Sequence, residues 1–263
     1  MRPTVWLKPG ILLIYGAALD AELHQHNAVQ LVIPVSGTSS YLEMESERGG
    51  IKGSAIVDAQ VMHKLTMDEG WVLLVEPHSD LGQRMSTLLA EKKRTRGVMS
   101  VGDNSIGRFD ALDVSGQKGV DDVLSWLIPV FSQLGLEPFF TQLITGEGRT
   151  SSHDKRIQQL VCMLDEYFQE GGDFLVSWAA SDVAKQLCLS EGRFLHLFRQ
   201  EMLIPWRPYL LWRRMMCAMS ALISGVSATE AAHLAGFSDS AHLSRTFRRL
   251  FGMSIRQALR LFE

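Results

Sequence analysis

Three cysteines in a chain of 263 residues, Cys162, Cys188 and Cys217, are too few and too scattered for a disulfide framework or a four-thiolate zinc site, and they read as reduced helix residues. No apolar run approaches the roughly 18 residues that a membrane-crossing helix needs, and the N-terminus has no basic segment followed by an apolar stretch. A cytoplasmic protein with no membrane partner is the expectation. Also missing are a phosphate-binding glycine loop, a nucleophile elbow and a zinc-protease motif. No catalytic residue and no cofactor is therefore predicted. What is present, 46% hydrophobic and 21% charged residues, supplies enough apolar side chain for a sizeable core and argues against disorder. The length suits two ordinary domains.

The net charge of −3 is unevenly spread. Residues 1–150 carry 13 Lys and Arg against 18 Asp and Glu, a net −5, whereas residues 185–260 carry 11 against 4, a net +7. Ten of those eleven cations are Arg, whose guanidinium fork matches phosphate oxygens and the guanine edge. A local basic excess of this kind points to double-stranded DNA as a partner; a merely solvated basic surface is the alternative.

From about Leu7 to Ser79 five short runs, ILLIY, VQLVIPV, SYLEME, SAIVD and WVLLVEP, are each bounded by Gly, Asn, Ser or Pro and predict the strands of a small β-barrel. Asp80 to Arg94 and Val120 to Leu134 space their apolar residues three and four apart, as in Leu81, Met85, Leu88 and Leu89, and in Val123, Leu124 and Leu127; both predict amphipathic helices. The second helix has no obvious partner for its apolar face in a small barrel, which predicts a homodimer through Leu124 and Leu127. GEGRTSS at 146–152 has the composition of a linker. The domains are accordingly placed at 1–145 and 153–263.

Beyond the linker the pattern is helical. Ile157, Leu160, Val161, Leu164 and Phe168 make one stripe that ends at Gly171-Gly172, and a long helix from about Trp206 to Ser224 opens with Pro205 and Pro208 and closes at Gly225. Around that helix lies an internal repeat: ASDVAKQLCLSEGRFLHLFRQEMLI at 180–204 can be laid on ATEAAHLAGFSDSAHLSRTFRRLFGM at 228–253. In each copy a short helix with a small alanine, Ala184 or Ala232, leads through a turn to Ser190 or Ser238, each suited to cap the next helix. Phe194, Leu197, Phe198 and Met202, and Leu243, Phe247, Leu250 and Phe251, then form inward stripes. The opposite faces carry Arg193, His196 and Arg199 in the first copy, and Ser240, His242, Ser244, Arg245 and Arg249 in the second. This is the plan of a helix-turn-helix, whose second helix fits the major groove. Two ordinary helical hairpins with solvated arginines would leave the repetition unexplained.

GFSDSAHLSRTFRRLFGMS resembles the second helix-turn-helix signature of the AraC/XylS regulators, and the resemblance extends over residues 154–260. It implies two recognition helices, held by one linking helix, that enter successive major grooves. The positions it turns toward the bases are Gly192, Leu195 and His196 in the first copy and Ser240, Ala241, His242, Ser244 and Arg245 in the second, with Arg248 and Arg249 close behind. It also implies a small-molecule effector and, in an activator, contact with RNA polymerase. Two departures stand out. Where relatives have Gly in the turn and after the recognition helix, the first copy has Cys188 and Leu203, whereas the second keeps Gly236 and Gly252. Gly192 and Leu195 offer no side-chain hydrogen bond, so sequence reading is expected to rest on the second copy.

In the N-terminal part His24 and His26 stand two apart and point to one side if both lie on a strand. With Gln30, Gly37 and the run DAQVMHKL around His63, the spacing resembles the paired motifs of a cupin barrel. Three readings stay open: a divalent metal site, since imidazole suits zinc, iron or nickel; a pocket for an organic effector; or plain polar residues at a barrel edge. Gln30 occupies the place where a metal-binding cupin has Glu, so the expectation is a ligand-binding set of His24, His26, Gln30 and His63 with no metal. The fold class predicted is α+β, a cupin-like β-barrel with helices followed by an all-α domain with two helix-turn-helix units. The alternative from another class is a metal-dependent cupin enzyme fused to a DNA-binding domain.

Overall fold

The computed structural model of the chain describes residues 4–8, 10–45, 49–91, 97–102, 124–145, 154–169 and 177–261. The backbone divides into two compact units, residues 1–149 together with 246–263, and residues 150–245.

Among the described residues the first unit is built on eight strands: β1 (Thr4–Lys8), β2 (Ile11–His24), β3 (Val29–Pro34), β4 (Ser40–Met44), β5 (Gly50–Lys52), β6 (Ala55–Val57), β7 (His63–Val75) and β8 (Val98–Ser100). All pairings are antiparallel, in the order β1-β2-β7-β3-β6-β8, with β4 joining β5 to β7. The two long strands carry the sheet. β2 pairs with β7 from Ile11 opposite Val75 to His24 opposite His63, with a shift of register between Ala21 and His24. The other edge of β7 is divided, Gly70 to Val75 pairing with β3 and His63 to Met67 with β4.

Burial follows the pleat. In β4 Ser40, Leu42 and Met44 are buried while Tyr41 and Glu43 are exposed, the period of two expected of a half-covered strand. β3 and the Trp71 to Val75 part of β7 are buried throughout, because that region is covered on both faces. Leu31, Ile33, Trp71 and Leu73 share one core with three helices, α1 (Asp80–Glu91), α2 (Ile128–Gln133) and α3 (Glu137–Thr145), while Val32, Val72 and Leu74 are buried outside that cluster. Trp71 stacks on Trp6 and packs against Tyr15, and Phe131 stacks on Phe140 at 3.9 Å between centroids. Ser79 starts α1, its Oγ accepting the Gly82 N–H at 3.1 Å.

One expectation fails here. The helix predicted over 120–134 begins outside the described residues, and within them it is interrupted: Leu124 and Ser125 are helical, the chain turns at Trp126 and Leu127, and helix resumes as α2, where Pro129 sits in the first turn. Leu124 and Leu127 are both fully buried in the sheet-and-helix core. Glutamate at either place would bury a charge, so these residues cannot be the surface through which a second copy docks. Apolar periodicity reports that a face is covered; it does not say by what.

Seven helices follow among the described residues: α4 (Lys155–Gln169), α5 (Ala180–Gln186), α6 (Glu191–Met202), α7 (Trp206–Ile223), α8 (Ala228–Leu234), α9 (Ser240–Phe251) and α10 (Ile255–Leu261). In the second unit, Ile157, Leu160 and Leu164 of α4 join Phe194 and Phe198 of α6 and Trp206 of α7 in one core. Pro205 precedes α7, and the Trp206 Nε1–H donates to the Trp178 carbonyl at 3.1 Å. Arg213 on α7 is buried, ion-paired with Asp165 of α4 and bonded to the Tyr209 hydroxyl. The linker expected at 146–152 and the Gly171-Gly172 stop fall outside the described residues, and the three cysteines are free, with Cys188 in a turn rather than a helix.

Candidate nucleic-acid interface and histidine cluster

The repeat seen in the sequence is also a repeat of hydrogen bonds. After α5 the Leu189 N–H donates to the Ala184 carbonyl at 2.8 Å and the Cys188 N–H to Lys185 at 3.0 Å; after α8 Phe237 donates to Ala232 at 2.8 Å and Gly236 to His233 at 2.9 Å. Both turns thus end a helix through a residue in left-handed conformation, Cys188 at φ 55° and Gly236 at φ 73°. Ala184 and Ala232 are buried at the start of each turn. The second helices of the two copies end alike as well, with Leu203 donating to Arg199 and Gly252 to Arg248, at φ 59° and 67°.

The entries to these helices differ. Ser190 caps α6 as expected, its Oγ accepting the Arg193 N–H at 3.3 Å. In the second copy Ser238 does not take that part. Asp239 Oδ1 accepts the His242 N–H at 2.6 Å, and Ser238 Oγ bonds the same carboxylate and His242 Nδ1. A carboxylate at a helix start also meets the positive end of the helix dipole. The His242 N–H holds the Asp239 carboxyl below the usual carboxylate range.

On α6 Arg193, His196 and Arg199 are exposed while Phe194, Leu197, Phe198 and Met202 are buried. On α9 Ala241, Ser244, Arg245, Arg248 and Arg249 are exposed, and Ser240 and His242 half-buried, against a buried row of Leu243, Phe247, Leu250 and Phe251. His242 is the most constrained of the predicted readers, its ring edge-on to Phe237 as well as bonded to Ser238. The basic surface is smaller than the sequence count implies, since Arg213 is buried in its ion pair and Arg214 half-buried. Asp239, which caps α9, is the residue that sequence reasoning missed; its signal was present, a stronger acceptor one place after the serine.

In the first unit the sheet brings together the four N-terminal residues singled out. His24 ends β2 opposite His63, which begins β7; His26 lies in the connection to β3, and Gln30 in β3 itself. His26 therefore reaches the cluster through a turn and not by the alternation of a strand. Ring centroids lie 4.3 Å apart for His24 and His63, 5.3 Å for His26 and His63 and 5.7 Å for His24 and His26. All four side chains are buried. Burial, together with the His26 ring, pushes His24 down to about 4; burial and both neighbouring rings push His63 down to about 3; burial lowers His26 too. All three rings are thus neutral at pH 7.

Residues 183–260 match the family described as helix-turn-helix domain. The HTH-type transcriptional activator RhaS of Salmonella schwarzengrund is 37% identical over 111 residues, 42% of this chain, and the match spans 37% of that relative's length. Among solved structures, an apo form of ToxT from Vibrio cholerae superposes with a TM-score of 0.53 at 10% identity, covering 97% of this chain and 99% of that one. ToxT bound to (E)-4-(8-methylnaphthalen-1-yl)but-3-enoic acid gives 0.51 at 13% identity, covering 97% and 100%. The likeness to ToxT is one of fold, an antiparallel sheet followed by a helical part.

Proposed function

We propose that this chain is a sequence-specific, DNA-binding transcription regulator of the AraC/XylS type, a reading supported by its match to a helix-turn-helix domain and by its likeness to RhaS. The observation that carries the reading is the repeat: two short helices, two turns closed by the same backbone bonds and two recognition helices whose outward faces bear arginine. A recognition helix needs a rigid inward stripe and a polar outward face of groove width, and α6 and α9 have both. In this proposal Arg193, His196 and Arg199 of the first copy, and Ser240, Ala241, His242, Ser244, Arg245, Arg248 and Arg249 of the second, meet double-stranded DNA. The domains run from 1 to 145 and from 153 to 263. The first, a cupin-like barrel, takes an effector at His24, His26, Gln30 and His63 and pairs two copies of the chain in the cytoplasm. RNA polymerase is a partner where binding activates transcription. ToxT, whose fold is similar, has been captured with a small carboxylic acid bound, which supports an effector-controlled reading.

Band-shift titration of the full chain on its own promoter fragment tests this. Five exposed arginines stand on the two outward faces; at a slope of about −0.9 per neutralised phosphate, log affinity against log salt should fall with a slope of up to about −4.5 if all five meet phosphate. A salt-independent interaction, or no preference for the promoter over random DNA, would overturn the reading.

A further inference from the structure

We propose that His24, His26 and His63, with the side-chain oxygen of Gln30 beside them, form a binding site for one divalent transition-metal ion of the zinc class. The proposal deepens the effector-site reading and rests on it only in taking this cluster for a place of binding.

The hydrogen bonds decide which nitrogen of each ring is available. His24 Nδ1 lies 2.7 Å from the Glu22 carbonyl, His26 Nδ1 2.9 Å from the Ala28 carbonyl and His63 Nδ1 2.9 Å from the Val61 carbonyl. A carbonyl only accepts, so each Nδ1 of a neutral ring carries the proton and each Nε2 presents a lone pair. Main-chain carbonyls on the far nitrogen are the usual way a metal-binding imidazole is oriented and made more basic. Here all three rings are held so, each by a carbonyl two residues away in the chain. One ring nitrogen from each lies within 4.8 Å of those of the other two.

Without a cation His63 is left unsatisfied. His63 is fully buried and its Nε2 has no hydrogen-bond partner. His26 Nε2 faces Gln30 Oε1 at 2.9 Å, one acceptor against another, while the buried Gln30 Nε2 also has no partner. Turning the Gln30 amide over would give His26 a donor and still leave His63 without one. A cation among the rings gives the His63 Nε2 the positive partner it lacks, and it can take the lone pairs of the other two Nε2 atoms and the Gln30 oxygen as well. Lone pairs converging in a buried place cost free energy unless something positive sits among them. Three imidazoles and no carboxylate select zinc, nickel, copper or iron over magnesium or calcium, which prefer all-oxygen sites. The neutral rings need lose no proton on binding.

The test uses full-length protein stripped with chelator and desalted. Expected are uptake of about one Zn²⁺ per chain by elemental analysis, a visible Co²⁺ spectrum of low-coordinate, nitrogen-rich type, and a melting temperature raised by about 5–10 °C at a hundredfold excess of Zn²⁺ over Kd. His63→Ala should lose the metal. Because a hole at that buried place can also disturb folding, Gln30→Glu is the second variant: it keeps the shape, adds a charge, and should bind Zn²⁺ about tenfold more tightly while melting lower than wild type when stripped. No uptake by wild type, or uptake that both variants leave unchanged, overturns the site. Band shifts on the same preparations keep the two readings apart, since a chain that takes up zinc at these residues yet binds no DNA sinks the regulatory reading alone.

Discussion

In the first helix-turn-helix copy Cys188 and Leu203 hold φ angles of 55° and 59°; in the second, Gly236 and Gly252 hold 73° and 67° at the same two places. The hydrogen bonds around each pair are the same. The backbone path is therefore set by how the helices must end and cross, and the residue type decides only what that path costs. For a residue with a Cβ, the left-handed region costs roughly 1–2 kcal/mol. The first copy bears that cost twice over. The second bears none, yet it is the less tolerant of change, because one of its glycines does a second job.

The largest effect that sharpens this contrast is expected at Gly252. Besides its left-handed φ, a Cβ there would lie 2.2 Å from the Glu22 carbonyl oxygen and 2.9 Å from the Glu22 nitrogen, both backbone atoms of β2, whose N–H donates to the Gly252 carbonyl at 2.9 Å. Neither can step aside as a side chain can. At Gly236 the nearest atom is Arg214 Nε at 3.4 Å, the end of a flexible side chain. Gly252→Ala should therefore cost about 3–5 kcal/mol and Gly236→Ala about 1–2 kcal/mol, read as shifts of the urea midpoint. Equal costs would mean that only the backbone angle matters at both places.

The second expectation concerns what each copy does with DNA in the proposed function. Arg245 and Arg249 share the exposed face of α9 one turn apart. Arg245→Ala should weaken the promoter complex by about 1–3 kcal/mol more than random DNA, the worth of a guanidinium on the two acceptors of guanine. Arg249→Ala should weaken both alike and make the salt slope shallower by about one phosphate. In the first copy, with Gly192 and Leu195 at the corresponding face, His196→Ala should change specificity less than Arg245→Ala. If the two copies respond alike, specificity is shared between them.

Much of this asymmetry is legible in the sequence, and the misses have physical causes. The departures at Cys188 and Leu203 could be read directly, because glycine at a fixed place after a helix signals a left-handed residue. β5 and β8, three residues each, are too short to show a period of two. The cap of α9 slipped by one place because Ser238 and Asp239 are both good acceptors, and only the bond to the His242 N–H separates them. Leu124 and Leu127 misled for a different reason: their spacing correctly marked them as buried, but the partner proved to be the chain's own sheet. The histidines were gathered correctly by motif spacing, whereas the protonated nitrogen of each ring depends on carbonyls that no spacing reveals.

The smallest effect, and the most direct test of the comparison, is to give the first copy the glycines of the second. Leu203 is 59% exposed and Cys188 is exposed, so neither contributes much burial that a glycine would forfeit. Relief of the left-handed strain is worth roughly 1–2 kcal/mol per site. Against it stands the added freedom of glycine in the unfolded chain, roughly 0.5–1 kcal/mol. The difference favours the folded state, so Cys188→Gly and Leu203→Gly should each stabilise the protein by about 0.5–1 kcal/mol. The two sites lie at opposite ends of α6 and share no partner among the bonds described, so the double variant should gain nearly the sum. Urea titration followed by far-ultraviolet dichroism reads this as a higher midpoint with an unchanged slope. DNA affinity should stay as it was, because neither residue lies on the outward face of α6. A loss of stability in both variants would show that the turn and the helix end are held by their side chains after all, and that the likeness between the two copies stops at the backbone.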